Sequence, residues 1–235
     1  MPAIPLTQFA QLNSCSEYSH IELIKPYQIL SSAVLNGGLT HAQHLLNIKV
    51  PKTSQSTTSA DETLRQYGLK LALEEPIVGM MTAASMSSLR IERKIVQEVE
   101  LAVVVTSGLS NARHVGDYAE YRSMTTTTTD TGTINIIVLS SATLSSAAMV
   151  EALMIATEAK AAALTEANVL SPISQQVATG TGTDAIAIVN GDGEHHVHYC
   201  GKHVLFGQLL GQMVKHAVAK SISWDVTHNA KKLRA

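Results

Sequence analysis

The sequence predicts a fold of the α/β or α+β class, a single-domain sandwich in which a mixed β-sheet packs against buried helices. Buried strands are indicated by three runs rich in β-branched residues, at 99–106, 133–139 and 185–189. Two long helical segments, 144–167 and about 204–223, alternate with these strands in the second half of the chain. This alternation is the pattern expected of helices that cover a sheet.

The first half of the chain predicts shorter elements. Residues 21–35 fit two strands or a hairpin, and they end at Asn36-Gly37-Gly38, a strong turn signal. The polar segment 52–62 is predicted to be a loop, and residues 77–87 fit either a strand or a helix. No linker divides residues 1–235, so they are predicted to form one domain, with a flexible basic tail at 227–235.

Capping residues predict where the helices begin. Ser59 or Asp61 is expected to begin a helix that runs to about Glu75, where Pro76 would stop it. Thr143 or Ser141 is expected to cap the helix at 144–167. The MTTTTTD run at 124–130 is of low complexity and is predicted to be a loop or a strand edge without chemistry of its own.

Composition and charge exclude several classes of function. Charged residues make up 15% of the chain, the net charge is −2 and aromatic residues make up 4%, so nucleic-acid binding is not expected. Cys15 and Cys200 lie far apart, which favours a reducing compartment over a disulfide framework. The N-terminus lacks a signal-peptide pattern, and no apolar run is long enough to span a membrane. We therefore expect a cytoplasmic protein without a membrane partner, and self-association into a homo-oligomer stays open.

The stretch VATGTGTDAIAIV, residues 177–189, places threonines and glycines directly before a predicted buried strand. Gly180 and Gly182 would let backbone amides approach a ligand closely, and Asp184 stands where the loop meets the strand. The stretch could be a turn, a phosphate cradle or part of a catalytic centre. A phosphate cradle is disfavoured because neither the expected lysine nor a following helix is present.

A second polar loop, SGLSNARHVGD at 107–117, follows the predicted strand at 99–106. If that strand is parallel to its neighbours, the loop is where open α/β sheets place ligands. Asn111, Arg113 and Asp117 are the candidate binding residues. The alternative is a turn in which Asn and Asp side chains bond to nearby backbone.

Polar residues stand out in the helix at 144–167, which is apolar almost all round. Glu151 and Glu158 share one face, and Lys160 points to the opposite side. Glu158 could pair with a cation and order the core, or it could act as a general base. The helix by itself favours the structural ion pair.

The segment GEHHVHYCGKH, residues 193–203, could hold a metal ion, because His196, His198 and Cys200 share one face of a possible strand. Histidines that face solvent on a strand are common, so no metal site is predicted. Cys200 as a nucleophile is the weaker possibility, since nothing in the sequence indicates a lowered pKa of its thiol.

Four blocks together resemble the adenosylcobinamide amidohydrolases of cobamide salvage. They are VVVTSGLSNARHVGD (103–117), GTINIIVL (132–139), ATEAKAAAL (156–164) and ATGTGTDAI (178–186). The flanking pieces LSSAVLNGG (30–38), MMTAASM (80–86) and YCGKH (199–203) agree with them. The resemblance covers nearly the whole chain, whereas the Thr-rich segment after Ser123 and the His-rich segment before Cys200 contribute nothing to it.

The resemblance implies cleavage of the amide that joins a corrin propionate to aminopropanol, giving adenosylcobyric acid and 1-amino-2-propanol. It also implies a small corrinoid substrate, with some members acting on complete cobamides. No cofactor is expected to be required, and metal dependence stays open. Two alternatives remain, a corrinoid-binding protein without hydrolytic activity and a self-processing acyltransferase that uses a threonine.

Amide hydrolysis needs a nucleophile, an oxyanion site and an acid for the leaving amine. Glu158 or Asp184 is predicted to activate water, and Thr181 is an alternative nucleophile, beside Thr179 or Thr183. Lys160 or His203 is predicted to protonate the amine. Backbone amides near Gly180 and Gly182 are predicted to hold the oxyanion with Asn111 or Asn135. The remaining predicted substrate-binding residues are Asn36, Thr106, Arg113, Asp117, Thr179, Thr183 and His203.

Overall fold

A large mixed β-sheet dominates the computed structural model, which describes residues 3–51, 58–119, 124 and 133–232. Within this part of the chain the sheet has nine strands, in the order β1-β2-β3-β12-β9-β7-β6, and β4 adds to it by pairing with β3 and β5. The strand pairs β4–β5 and β9–β12 are parallel, and the other pairs of the sheet are antiparallel. The mixed α+β class predicted from the sequence is therefore confirmed.

The elements follow one another along the chain in this order. The strands are β1 (Ile4–Thr7), β2 (Ala10–Ser14), β3 (Tyr18–Ser31), β4 (Gly38–Lys49), β5 (Ile77–Thr82), β6 (Arg90–Val96), β7 (Val99–Ser107), β8 (Ala112–Arg113), β9 (Ile134–Ser140), β10 (Ala142–Leu144), β11 (Gly180–Thr181), β12 (Ala185–Val189) and β13 (Gly193–Val197). The helices are α1 (Ala60–Lys70), α2 (Ser146–Glu166) and α3 (Leu205–Lys232), with a 3-10 turn at Met86–Ser88.

Alternation along the central strands divides their side chains between two apolar cores. On β7, Val103 and Val105 face a core that includes α2 and α3. Ala102 and Val104 face the second core, which the strands of the sheet enclose among themselves. The sequence pattern of these strands is continuously apolar because both faces are buried.

The sheet curls, so that β1 returns to the neighbourhood of β6 and β7. The Arg93 guanidinium donates to the Pro5 carbonyl at 2.5 Å, and the Gln8 N–H donates to the Glu100 carboxylate at 2.7 Å. The inner core therefore lies within a nearly closed, barrel-like sheet. On the outside of β4 and β5, the helix α1 buries Leu64 in a third and smaller apolar cluster.

Several predicted elements are confirmed, and the turn after β3 is one of them. Residues 18–31 form one long strand that pairs with β4, so the two strands or hairpin predicted over 21–35 are not present, and the turn between β3 and β4 has positive φ at Asn36 (53°) and Gly38 (84°). The strand at 185–189 has the predicted bounds. Of the ambiguous residues 77–87, the first six form β5.

Helix boundaries differ from the prediction at three points. Helix α1 ends at Lys70 rather than near Glu75, and α2 is capped by Ser145, which accepts the Ala148 N–H at 3.1 Å, because 142–144 form a strand with β13. Helix α3 continues to Lys232, beyond the end predicted near Ser223 and into the segment 227–235 that was predicted as a flexible tail. Residues 233–235, 52–57 and most of the predicted loop at 124–130 lie outside the described residues.

None of the described helices combines the length and apolar character needed to cross a membrane.

Candidate active site

The two polar loops noted in the sequence lie side by side at one edge of the main sheet. The strands β8 and β11 form a short antiparallel ladder in which Gly180 lies opposite Arg113. The Thr179 N–H donates to the Arg113 carbonyl at 2.9 Å, and the Gly182 N–H donates to the Asn111 carbonyl at 3.2 Å. The strand β7, which leads into the first loop, is antiparallel to β9 rather than parallel as the sequence suggested. The loops therefore meet through their own pairing.

Asp184 is the centre of the polar cluster. Its carboxylate forms an ion pair with the Lys160 ammonium, and the two side chains are only 10% and 9% exposed. It also accepts the Thr181 N–H at 3.0 Å, the Thr181 hydroxyl at 2.6 Å and the Ile134 N–H at 3.0 Å. Four donors to one carboxylate supply the pairing that a buried charge requires.

Lys160 reaches this cluster from the sheet-facing side of α2. Ala152 and Ala156 precede it at intervals of four residues and are fully buried, so the three share one face of the helix. Small side chains on that face allow α2 to lie close to β12. A buried lysine is tolerated at the end of this apolar stripe because Asp184 neutralises its charge.

Two positions of this loop require glycine because neighbouring side chains pack closely against them, and not because of an unusual backbone angle. A Cβ on Gly180 would overlap the Asp184 carboxylate and lie 2.9 Å from the Lys160 ammonium. A Cβ on Gly182 would lie 3.1 Å from Nδ2 of Asn111. These glycines therefore keep room for polar side chains to gather over the loop.

Threonine hydroxyls fasten the end of this loop to the main sheet. The Thr133 hydroxyl donates to the Thr183 carbonyl and lies 2.9 Å from the Thr183 hydroxyl. Thr133 immediately precedes β9, the strand that runs parallel to β12. Thr183 thus holds the approach to Asp184 against the neighbouring strand.

A second polar group lies at the same edge of the sheet but on its inner face. Asn47, Thr106 and Asn135 are each 2% exposed. The Asn135 amide donates to Asn47 Oδ1 at 2.8 Å and to the Met81 carbonyl at 3.0 Å, and Asn47 donates to the Thr106 hydroxyl at 2.9 Å. Asn135 Oδ1 is buried and has no hydrogen-bond partner in the described part of the chain.

Asn111 carries a further buried amide. Its backbone carbonyl pairs with Gly182, but neither its Nδ2 nor its Oδ1 has a partner among the described residues. A buried amide costs free energy unless something bonds to it. Asn111 can therefore offer both a donor and an acceptor beside the loop that carries Asp184.

Glu158 does not join Asp184. It is 52% exposed and forms a surface ion pair with Lys202 at 2.5 Å. Glu151, on the same face of α2, accepts the Cys200 N–H at 2.5 Å. The structure therefore places Glu158, one of the two predicted general bases, in a surface ion pair away from the Asp184 cluster.

Two other predicted binding residues lie apart from the Asp184 cluster. Asn36 forms the turn after β3, where its amide donates to the Ile77 carbonyl at 2.8 Å. His203 is exposed shortly before α3, with its ring close to Gly201. Neither has a contact in the described structure that joins it to Asp184 or Lys160.

Asp117 and Arg113 shape the first loop. Asp117 accepts the Ser171 hydroxyl at 2.5 Å and the His114 N–H at 2.8 Å. Hydrogen bonds from Ser171 and Ser174 hold the pKa of this carboxyl below its usual range. Arg113 is half-buried, and its guanidinium donates to the Ala112 carbonyl at 3.2 Å. Asp117 thus anchors the loop, as the turn interpretation proposed.

The His-rich segment offers no metal cluster among the described residues, where no group of three His, Cys, Asp or Glu side chains gathers to hold an ion. The rings of His196 and His198 stack with centroids 6.5 Å apart. Cys200 is fully buried, and burial, with a smaller contribution from Glu151, raises the pKa of its thiol to about 12. Such a thiol is a poor nucleophile.

Asn47 was not among the residues predicted from the sequence. It interrupts the apolar run LLNI at 45–48, and this polar residue within a strand pattern was the only signal available. Its importance depends on pairings between β4, β7 and β9, which are distant in sequence.

Comparison with protein families decides the classification. The family model described as adenosylcobinamide amidohydrolase matches residues 6–230. The chain belongs to the adenosylcobinamide amidohydrolase family. This membership supports hydrolase activity, in agreement with the resemblance seen in the sequence.

Individual relatives agree with the family. The chain is 29% identical over 194 residues to an adenosylcobinamide amidohydrolase of Methanosarcina mazei, a match that covers 78% of this chain and 84% of the relative. It is 32% identical over 176 residues to the uncharacterized protein MJ1613 of Methanocaldococcus jannaschii, covering 69% and 68%. The crystal structure of the PH0078 protein from Pyrococcus horikoshii OT3 covers 92% of this chain and 78% of that one at 9% identity. Its TM-score of 0.45 is too low to support any conclusion.

Proposed function

We propose that this adenosylcobinamide amidohydrolase family member cleaves the amide between the corrin propionate and aminopropanol of adenosylcobinamide. The products would be adenosylcobyric acid and 1-amino-2-propanol. The observation that carries the catalytic part is the buried Lys160–Asp184 ion pair bonded to the Thr181 hydroxyl. Hydrolysis neither oxidises nor reduces the substrate, so it requires no redox cofactor.

Thr181 is the proposed nucleophile. Its hydroxyl donates to Asp184 at 2.6 Å, and Lys160 orients that carboxylate, which is the arrangement of a nucleophile, its base and a third positioning group. The Thr181 oxygen would attack the amide carbon while its proton passes to Asp184. Asp184 would return that proton to the nitrogen as the C–N bond breaks, and water would then hydrolyse the threonyl ester.

The oxyanion site in this proposal differs from the backbone amides that the sequence predicted. The N–H groups of Gly182 and Thr181 are already bonded to Asn111 and Asp184. The buried Nδ2 of Asn111 has no described partner, and the Lys160 ammonium has three donors. Asn111 and Lys160 are therefore the proposed donors to the developing negative charge, and a donor of this kind contributes about 3–4 kcal/mol.

The decisive measurement is the release of 1-amino-2-propanol from adenosylcobinamide. Asp184→Asn and Thr181→Ala should fold and lower turnover at least ~10³-fold, and Asn111→Ala should lower it ~10²–10³-fold. Glu158→Gln is the matched carboxylate control and should keep nearly the parental rate, because Glu158 lies in a surface ion pair. Near-parental rates in both Asp184→Asn and Thr181→Ala would reject this catalytic assignment.

Two further outcomes separate the alternatives. An acyl-enzyme detected by intact mass in the wild type, and absent in Thr181→Ala, supports the threonine nucleophile, whereas turnover by Thr181→Ala without an adduct indicates attack by water. Tight binding of adenosylcobinamide without release of amine would indicate a corrinoid-binding protein instead. The same assay with cobinamide phosphate and a complete cobamide defines the substrate range, and activity after dialysis against a chelator tests metal dependence.

A further inference from the structure

The buried amides on the inner face of the sheet have only one possible orientation. The Met81 carbonyl can only accept a hydrogen bond, so the Asn135 atom that lies 3.0 Å from it must be the NH₂ group. That NH₂ also donates to Asn47 Oδ1, which turns the Asn47 NH₂ towards the Thr106 hydroxyl. One backbone carbonyl therefore determines the direction of every hydrogen bond in this series of three side chains.

This orientation leaves one acceptor and one donor without a hydrogen-bond partner among the described residues. Both hydrogens of the Asn135 amide are used, so this residue cannot supply the oxyanion donor that the sequence suggested, and its buried Oδ1 remains as an acceptor. Thr106 accepts from Asn47, and no described residue accepts the proton of its hydroxyl. The two ends of this hydrogen-bonded series thus differ: Asn135 offers an acceptor and Thr106 offers a donor.

The donor and the acceptor lie next to each other. Thr106 and Asn135 are direct partners in the β7–β9 ladder, and both follow the alternation that faces the inner core. Side chains directly opposite each other on antiparallel strands have Cβ atoms roughly 4.5–5.5 Å apart. One ligand group can therefore reach both, provided that it offers an acceptor and an N–H on the same edge.

We propose that Thr106 and Asn135 bind a primary carboxamide at the periphery of the substrate's corrin ring. A primary carboxamide carries an N–H on the same side as its C=O, so it can accept from the Thr106 hydroxyl while donating to Asn135 Oδ1. The trans secondary amide that is to be cleaved directs its N–H and C=O in opposite directions and does not fit this pair. The site thus recognises the amidated state of the substrate, at a point separate from the reacting bond.

A carboxylate at the same position is rejected. It has no proton to give to Asn135 Oδ1, so two acceptors would face each other in a buried site. Sites built to hydrogen-bond a polar group discriminate strongly against analogues that leave a buried atom unpaired. The enzyme therefore selects amidated corrinoids over those in which this one amide has become an acid.

The test uses binding of the reaction product, so it does not depend on turnover. The inference rests on the proposed function only for the choice of a corrinoid as ligand. Adenosylcobyric acid keeps the primary carboxamides of the corrin ring and is not hydrolysed further by the proposed reaction. Its dissociation constant, and those of the mono-acids in which one primary amide has been hydrolysed, are measured by equilibrium dialysis followed by corrin absorbance.

We expect one mono-acid to bind the wild type about 10²-fold more weakly than the amidated form. Thr106→Val should weaken binding of the amidated form about 10-fold and reduce the difference in affinity between that form and the mono-acid. Thr106→Ser keeps a hydroxyl and should restore both the affinity and the difference. Thr143→Val is the matched control, because the Thr143 hydroxyl bonds to the Gly193 carbonyl on another sheet. It should leave every dissociation constant unchanged.

Equal binding of all mono-acids and the amidated form by the wild type would overturn the inference without any variant. The inference would also be overturned if the folded Thr106→Val variant kept the wild-type difference in affinity between the amidated form and the mono-acid. If the wild type releases no aminopropanol yet discriminates between these ligands as expected, the proposed hydrolysis fails and the binding inference stands. If it releases aminopropanol but binds all of these ligands equally, the hydrolysis stands and the binding inference fails.

Discussion

At the scale of single residues, the polar cluster depends on one position that has no side chain. Gly180 has no side chain, and this allows Asp184 and Lys160 to meet above it. Asp184 was predicted from its position before a strand, but its partner could not be read from the sequence. Lys160 lies 24 residues away, on a helix whose apolar character gives no indication of which face is buried.

Gly180→Ala tests this close approach. The added methyl group should separate Lys160 from Asp184 and lower amide hydrolysis about 10²-fold, since small displacements of catalytic groups have effects of that size. Stability should fall by about 1–3 kcal/mol. Gly211→Ala, where a Cβ would make an ordinary contact at 3.4 Å with Ile155, is the control and should keep parental activity. Equal activity of the two variants would contradict the argument.

At the scale of elements, helix α2 determines where Lys160 is held. Its sheet-facing stripe consists mainly of alanines, and the lysine ends that stripe. The sequence correctly predicted a long helix here, although one face of it is exposed, and Glu158, which was also a candidate general base, lies in a surface ion pair with Lys202. The sequence predicted Thr143 or Ser141 as the helix cap, whereas the cap is Ser145. The difference arises because β10 pairs with the distant β13 and extends the strand before the helix.

Ala156→Leu tests the position of α2. Ala156 is fully buried one turn before Lys160, so a larger side chain should push the helix away from β12. We expect a loss of about 1–3 kcal/mol in the free energy of unfolding and a fall in turnover that exceeds any change in substrate affinity. Met154→Leu, at a position 55% exposed on the same helix, is the control. A loss of stability with unchanged turnover would show that Lys160 does not depend on this stripe.

At the scale of the whole molecule, the long β3–β4 ladder joins the inner core to the cluster beside α1, and it contains a buried histidine pair. His20 Nε2 lies 3.1 Å from His44 Nδ1. Burial, and then the neighbouring His44, lowers the pKa of His20 to about 4, and burial also lowers the pKa of His44. Both rings are therefore neutral in the folded protein at neutral pH.

This pair predicts how stability depends on pH. As pH falls below about 6.5, the unfolded chain binds protons that folded His20 does not accept until about pH 4, so the free energy of unfolding decreases over this interval. The loss should be about 1–3 kcal/mol, the lower figure allowing for screening by solvent. Urea unfolding at pH 7.5 and pH 5 measures it.

His20→Gln should reduce this pH dependence, because the amide can still bond to His44 but does not titrate. His41→Gln, which changes an exposed histidine on β4, the strand that carries His44, should leave the dependence as in the wild type. The same slope in wild type and His20→Gln would exclude the pair as its source.

The amino-acid sequence was sufficient to predict most of the local elements and the residue types of the candidate site. Apolar runs predicted β7, β9 and β12, glycines marked both polar loops, and threonines marked the second of them, because these signals depend on neighbours along the chain. Which polar residues meet could be learned only from the three-dimensional fold. The partners Lys160 and Asp184, and the amides Asn47 and Asn135, come together through strand register and helix packing, which depend on contacts between residues far apart in sequence.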